Sequence, residues 1–144
     1  MFGGIGDDEL NGTAGNDFLN GGSGDDLLRG GTGADTFKFL AVDGHDTIRD
    51  FVNNVDTIQL DASLAEDFAA LRLLANVVNG NLVITFSPDT SLTLNNVGNI
   101  NALSDDVTYL DLIQVEAEQR SLICCRFRGR QLKPSSLFLV LHRA

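Results

Sequence analysis

The chain has 144 residues, of which 43% are hydrophobic, with a net charge of −10 and two cysteines. This length allows one modest domain or two small ones, and the acidic balance argues against a nucleic-acid partner, whose phosphates it would repel. No apolar run approaches the roughly 20 residues of a membrane-spanning helix, and no basic segment followed by an apolar one marks an N-terminal secretory signal.

Four nonapeptides follow one another without a gap from Gly3 to Lys38: GGIGDDELN, GTAGNDFLN, GGSGDDLLR and GGTGADTFK. Each has Gly at positions one and four, Asp at position six and an apolar residue at position eight. Position two is also Gly, except at Thr13. A nine-residue period of this composition predicts a parallel β-helix that binds calcium. The alternative is a flexible Gly/Asp-rich linker, but a linker has no reason to place an apolar residue at every eighth position.

The two halves of each repeat predict different structures. The Gly-rich half allows positive φ and leaves carbonyl oxygens unobstructed, while its Asp adds one negative charge per loop. Ca²⁺ prefers six to eight hard oxygen ligands at about 2.3–2.6 Å, which carbonyls and carboxylates provide. The last three residues predict a short strand whose middle side chain points inward. We therefore expect a core of Leu10, Leu19, Leu28 and Phe37.

This pattern resembles the repeats of the RTX family of secreted bacterial proteins, and the resemblance implies a β-roll with two nonapeptides per turn. Repeat one then stacks on repeat three and repeat two on repeat four, with one calcium ion between each pair. The implied ligands are the sixth-position carboxylates and nearby loop carbonyl oxygens. For the first ion they belong to Asp8, Asp26, Gly4, Gly6, Gly22 and Gly24. For the second they belong to Asp17, Asp35, Thr13, Gly15, Gly31 and Gly33.

Two alternating segments, 46–52 and 55–60, follow the repeats and predict half-buried strands, with a turn at Asn53-Asn54. Their DTIRDF…VDTIQLD sequence resembles the segment after the repeats in serralysin-type metalloproteases. That resemblance implies aspartates that complete calcium sites at the last turn of the roll. The candidates are Asp43, Asp46 and Asp50. The open alternative is that these are ordinary aspartates at strand edges.

Residues 61–110 predict one short helix and several further strands. Asp61 or Ser63 can cap a helix whose apolar face includes Leu71. A hairpin is predicted around Asn79-Gly80-Asn81, with later strands at 91–94 and 107–110. The predicted fold is thus all-β: a parallel β-roll of nonapeptide repeats followed by a β-sandwich-like segment with one short helix. This second part resembles the C-terminal target domain of type I secreted proteins.

The sequence predicts three regions: repeats at 1–38, the β-sandwich-like region at 39–115, and an atypical tail at 116–144. All 20 acidic residues and only four basic ones lie in residues 1–119, which leaves that part with a net charge of −16. The other six basic residues fall between Arg120 and Arg143, without any acid. We interpret this tail as disordered or foreign, arising from read-through or a frameshift. The alternative is a basic tail that binds an anionic surface.

No HExxH, GxSxG or P-loop motif occurs in the chain, so we predict a non-catalytic module whose catalytic domain, if any, lay upstream. The RTX resemblance implies Ca²⁺ as cofactor, an ABC-type type I secretion machinery as partner, and a secreted, extracellular location where calcium triggers folding. The alternative function is a polysaccharide-binding or adhesion module, as in the R-modules of alginate epimerases. A third reading is the C-terminal remnant of a secreted metalloprotease or lipase.

Overall fold

The computed structural model describes residues 1–110, which form two β-sheets, one α-helix and one 3-10 helix at Ile100–Leu103. The strands are β1 (Phe2–Ile5), β2 (Glu9–Asn11), β3 (Phe18–Ser23), β4 (Leu27–Arg29), β5 (Thr36–Phe39), β6 (His45–Ile48), β7 (Thr57–Asp61), β8 (Ala75–Val78), β9 (Asn81–Ser87), β10 (Thr90–Leu94) and β11 (Val107–Leu110). The helix α1 (Phe68–Leu74) lies between β7 and β8. This confirms the predicted all-β fold.

The first seven strands alternate between the two sheets, as a roll requires. One sheet has the order β1-β3-β5-β7-β11, and the other has the order β2-β4-β6-β10-β9-β8. Strand β2 pairs in parallel with β4, and β3 pairs in parallel with β5. Repeat one therefore stacks on repeat three and repeat two on repeat four. The first turn of the roll comprises residues 3–20, the second 21–38 and the third 39–61.

The eighth position of every repeat points into the space between the two sheets. Leu10, Leu19, Leu28 and Phe37 are all buried, as predicted. Their flanking residues point outward because side chains alternate along a strand. In the third turn Ile48 pairs with Leu28 across β6 and β4, which continues the core beyond the repeats.

The strands after the repeats extend the same two sheets. Strand β6 pairs in parallel with β4, and β7 pairs in parallel with β5. The segment 46–52 is shorter as a strand than predicted, because β6 ends at Ile48. The two segments on either side of Asn53-Asn54 also lie in different sheets, so no hairpin joins them. The boundary between residues 38 and 39 stays a prediction, although both sheets run across it.

The α-helix begins later than its predicted caps. Its N-cap is Asp67, whose carboxylate accepts a hydrogen bond of 2.8 Å from the Ala70 N–H. Asp61 instead closes a turn in which it accepts from the Ser63 N–H at 2.9 Å. That turn occupies the backbone where the helix was expected to start, so Asp61 and Ser63 were wrong as caps. Leu71 is buried, as expected.

The predicted hairpin is present. Strands β8 and β9 pair antiparallel through the two-residue turn Asn79-Gly80, whose residues have φ of 52° and 82°. Positive φ at both central positions is the type I′ geometry that matches strand twist. Strand β10 then pairs antiparallel with β9 and parallel with β6. The hairpin is thus joined directly to the third turn of the roll.

Within residues 1–110, no helix has the length and apolar character needed to cross a membrane. The interpretation of the tail at 116–144 lies outside the described residues, as does the end of the region predicted at 39–115.

We expect Leu28→Ala to lower the free energy of unfolding by about 2–5 kcal/mol, because it leaves a cavity among fully buried side chains. Leu28 is 1% exposed, whereas Leu73 is 85% exposed. Leu73→Ala is the matched control and should change stability by less than about 0.5 kcal/mol. Urea denaturation in saturating calcium measures both. Equal effects of the two substitutions would contradict the assignment of the core.

Candidate metal centre

One column of sixth-position aspartates runs through the three turns beside the strands β2, β4 and β6. It consists of Asp8, Asp26 and Asp46, and we call it column one. The Asp8 N–H donates to Asp26 Oδ1 at 2.8 Å, and the Asp26 N–H donates to Asp46 Oδ1 at 3.1 Å. The carboxylates of Asp26 and Asp46 thus reach back to the main chain of the preceding turn. This contact fixes the Oδ1 atom of these two side chains and leaves the Oδ2 atom available.

Column two consists of Asp17, Asp35 and Asp56 and lies beside the other sheet. The Asp17 N–H donates to Asp35 Oδ1 at 2.9 Å, and the Asp35 N–H donates to Asp56 Oδ1 at 3.0 Å. Asp56 differs from the others because its Oδ2 also accepts from the Val52 N–H, at 2.8 Å. The second column therefore ends in a carboxylate whose two oxygens are both bonded to main chain.

Five carboxylate oxygens in these columns are buried and have no hydrogen-bond partner anywhere in residues 1–110. They are the Oδ2 atoms of Asp8, Asp17, Asp26, Asp35 and Asp46. A buried, unpaired carboxylate oxygen is costly unless a cation or a proton compensates it. The glycines at the first position make room for these groups, because a Cβ at Gly21 or Gly30 would collide with Asp26 Oδ2 or Asp35 Oδ2.

Main-chain carbonyl oxygens face the same inter-turn space. A Cβ on Gly22 or Gly24 would collide with the carbonyl oxygens of Gly4 and Gly6 in the turn before. In the second column, Gly31 and Gly33 stand in the same relation to the carbonyl oxygens of residues 13 and 15. The loops therefore place carbonyl oxygens and unpartnered carboxylates between stacked turns. This oxygen-only donor set fits Ca²⁺.

Thr13, the one departure from the repeat, lies where a side chain meets no preceding turn. Its φ is 77°, which is uncommon for a β-branched residue. Gly4, which holds the same second position in the first repeat, would have nothing within 4 Å of an added Cβ. The first turn therefore tolerates a side chain that the second turn would exclude.

No group of three or more His, Cys, Asp or Glu side chains converges as a metal cluster in the part of the chain that the structure describes. A site between two turns would instead combine one carboxylate from each turn with main-chain oxygens. The predicted pairs Asp8/Asp26 and Asp17/Asp35 lie in this arrangement, and the binding of ions there stays a prediction.

The three candidates after the repeats occupy different environments. Asp46 joins column one, as described. Asp50 accepts from the N–H groups of Gly30 and Gly31, both at 3.0 Å, and lies 3.4 Å from Arg29 Nε. Asp43 is buried and accepts from the Leu40 N–H within its own loop. The geometry thus favours Asp46 over Asp50 as a ligand.

Sequence reasoning missed Asp56 and Gly44. Gly44 has a φ of 93°, and a Cβ there would collide with the Gly24 carbonyl oxygen, as expected for a fourth-position glycine. The segment Gly44–Ile48 matches positions four to eight of the repeat, so this half-match was a usable signal. It was obscured because the aspartates are separated by 20 residues in column one and 21 in column two, instead of 18.

Burial raises the pKa of Asp46 to about 8, and the nearby charges of Asp26 and Asp43 act in the same direction. Burial is also the main cause of raised pKa values at Asp26, Asp43 and Asp56. A raised carboxyl pKa means that the folded state favours the neutral form. Without a cation, these carboxyl groups therefore hold protons more strongly than exposed aspartates do.

Comparison with known proteins identifies the repeats and similar solved structures. Residues 2–37 match the RTX calcium-binding nonapeptide repeat in four copies. The chain is similar to the extracellular lipase LipA from Serratia marcescens, with 32% sequence identity and a TM-score of 0.54, over 74% of this chain and 20% of the lipase. It therefore spans about a fifth of the length of that enzyme.

The chain is also similar to the AlgE6R2 subunit of the Azotobacter vinelandii mannuronan C5-epimerase, with 31% identity and a TM-score of 0.54. This match covers 76% of the chain and 80% of the subunit. No curated protein matches the chain.

We expect Gly24→Ala to destabilise the fold more than Gly6→Ala does. Both glycines hold the fourth position with positive φ, but only a Cβ at Gly24 meets the turn before. Gly6→Ala should lower the free energy of unfolding by about 1–2 kcal/mol through backbone strain. Gly24→Ala should add about 1–3 kcal/mol of overpacking. Urea denaturation in saturating calcium compares them, and equal losses would contradict close stacking of the turns.

In chelator, we expect the folded fraction to fall as the pH rises from about 4 to about 8. An unfolded aspartate loses its proton near pH 4, whereas folded Asp46 keeps its proton up to a pKa of about 8. The stabilisation from protonation is thus complete below the unfolded pKa and is lost as the pH passes the folded one. Far-UV circular dichroism between pH 4 and pH 8 measures this change. Asp46→Asn should flatten the dependence, and an unchanged slope would contradict the role given to Asp46.

Proposed function

The chain belongs to the RTX family of calcium-binding nonapeptide repeat proteins, and on that basis we propose that it is a non-catalytic module that folds on calcium binding outside the cell. Folding there would support type I secretion of a bacterial extracellular protein. The observation that carries this proposal is the set of five buried Oδ2 atoms without a partner in residues 1–110. They lie in two columns, at the places where the repeats stack.

Electrostatic repulsion between turns supplies the trigger. Strand pairing brings successive sixth-position carboxylates to about one strand spacing, roughly 4.8 Å, where like charges repel. Calcium supplies the positive charge that offsets this repulsion. Since the site hardly exists in the unfolded chain, the free energy of ion binding becomes free energy of folding.

The proposed calcium affinity would allow folding outside the cell but not in the cytosol. Extracellular calcium modules bind at about 10⁻⁴–10⁻³ M, whereas cytosolic sensors bind at about 10⁻⁷–10⁻⁵ M. A module of the weaker class would stay unfolded at cytosolic calcium levels and fold after export. An unfolded chain is the form that we propose for passage through an ABC-type type I secretion channel. The extracellular location of the similar lipase supports this proposal.

His45 is the one histidine within residues 1–110. His45 is exposed, and its Nδ1 lies 2.9 Å from Ser91 Oγ. Within residues 1–110, no hydrogen bond or salt bridge joins that ring to a carboxylate, as a Ser-His-Asp triad would require. A catalytic domain elsewhere in a longer protein would make this chain the calcium-binding part of a secreted lipase or metalloprotease.

A groove on the roll favours polysaccharide binding or adhesion as a second candidate function. It has a volume of about 300 Å³ and is lined by Asn11, Thr13, Arg29, Gly31, Thr32 and Asp50. The Arg29 side chain is mostly exposed, and in the groove its Nε lies 3.4 Å from the Asp50 carboxylate, beside neutral hydrogen-bonding groups. Similarity to a subunit of a mannuronan C5-epimerase supports this candidate. The acidity of the chain opposes it, because a polyanion would be repelled.

A calcium titration of the full chain, followed by far-UV circular dichroism, tests the proposal. We expect a cooperative gain of β signal in calcium and none in magnesium. Asp26 is the middle aspartate of column one, between Asp8 and Asp46. Asp26→Ala should therefore raise the calcium midpoint about 10- to 100-fold, as expected for the loss of a charged ligand. Asp105→Ala removes an exposed charge and is the control.

Two results would count against calcium-triggered folding: complete β structure in chelator above the Asp46 pKa of about 8, or an unchanged midpoint for Asp26→Ala. Retention on an immobilised polysaccharide in the presence of calcium, together with either result, would favour the binding module.

A further inference from the structure

The fifth position of the repeat, which the nonapeptide pattern leaves free, makes contacts between turns. Asp7 Oδ1 accepts from the Asp25 N–H at 2.9 Å. Asp25 Oδ1 accepts in turn from the His45 N–H at 3.0 Å. Both side chains belong to exposed residues at the rim of the roll. They are therefore hydrogen-bonded links between turns as well as surface charges.

These links run in the opposite direction to those of the sixth position. Asp26 of the second turn accepts from the main chain of the first turn, at Asp8. Asp7 of the first turn accepts from the main chain of the second turn, at Asp25. Two neighbouring N–H groups, one in each turn, are thus satisfied by side chains of the other turn. Loop N–H groups need such partners because no strand ladder serves them.

The fifth-position links continue beyond the repeats. The His45 ring reaches Ser91 in β10, with 2.9 Å between Nδ1 and Oγ. A continuous series of contacts therefore joins the first turn of the roll to strand β10. In the other column, Asn16 Oδ1 accepts from the Ala34 N–H at 2.9 Å. There the series stops, because Ala34 has no acceptor in its side chain.

We propose that the fifth-position side chains form a second ladder that stacks the turns without any metal, and that their charge sets how much calcium the roll needs to fold. Asp7, Asp25 and Asn16 are positioning residues in this ladder. Asn16 shows that an uncharged amide makes the same contact as a carboxylate.

The hydrogen-bond acceptor and the negative charge of a fifth-position side chain have opposite effects on the stacking of the turns. The acceptor bonds the next turn in any ionic condition. The negative charge of Asp25 lies beside the carboxylate column and adds to its repulsion until calcium is bound. An Asn at the fifth position keeps the first effect and removes the second. The charge effect rests on the proposed calcium-dependent folding, whereas the acceptor effect does not.

The variants Asp25→Asn and Asp25→Ala separate the two effects in the full chain, because both remove the charge and only Asn keeps an acceptor. In urea with saturating calcium, the ratio of folded to unfolded protein should be about fivefold lower for Ala than for Asn, the factor of one ordinary hydrogen bond. In a calcium titration without urea, Asp25→Asn should fold at a lower calcium concentration than the natural chain.

Asn16, beside the second column, allows the converse experiment, because its side chain already has the acceptor without the charge. Asn16→Asp keeps the acceptor and adds a charge, so it should raise the calcium midpoint. Asn16→Ala removes the acceptor without changing charge, and it should be about fivefold less stable than the natural chain in urea with saturating calcium. This pair also tests the ladder if Asp25→Ala does not fold.

Equal urea stability of the Asn and Ala forms at both positions would overturn the ladder. A midpoint for Asp25→Asn at or above that of the natural chain would overturn the charge effect. If the natural chain shows no response to calcium, the proposed function fails, and the comparison in urea still decides whether the ladder exists.

Discussion

Parallel pairing of short strands brings one aspartate of each turn to about 4.8 Å from the next, and this spacing between like charges governs the rest of the structure. Main-chain hydrogen bonds stabilise part of this negative charge, because Asp26 and Asp35 each accept with one oxygen from an N–H group of the preceding turn. Their second oxygens stay buried without a partner in residues 1–110. The fold can exist with a proton or a cation at these oxygens, but a bare stack of charges would be unstable.

The two columns differ at the third turn in the hydrogen bonding of their last carboxylate. Asp46 ends column one with an Oδ2 that has no partner in the described chain, and Leu92 lies opposite it on β10. Asp56 ends column two with both oxygens bonded to main chain. Column one therefore has free oxygens at three successive turns, and column two has them at two. The two sides of the roll consequently differ in the number of buried carboxylate oxygens without a partner in residues 1–110.

The repeats were predictable from the sequence because their chemistry is local. A fixed period of nine residues sets the strand, the inward side chain and the loop, so the buried Leu28 and Phe37 followed without knowledge of any distant contact. The stacking of repeat one on repeat three and of repeat two on repeat four came from the resemblance to the RTX family. Asp56 and Gly44 were harder to predict, since the longer spacing to the third turn breaks the period while the roll geometry continues. The helix start was also missed, because Asp61 can bond a nearby N–H group in a turn as readily as in a helix. The bonds of Asp7 and Asp25 depend on which residue lies in the adjacent turn, which no local pattern specifies.

The stacking of each turn on the one before it also has a consequence for folding kinetics. Residues in contact between the first two turns are 18 apart, and those between the second and third are 20 or 21 apart. The loop-closure entropy is therefore nearly the same for every turn that is added. Each turn of the roll pairs with the turn before it at a nearly constant sequence separation, so the roll can grow by repeated addition. The β9–β10 hairpin, which closes over a two-residue loop and pairs with the third turn, is a natural nucleus for that growth.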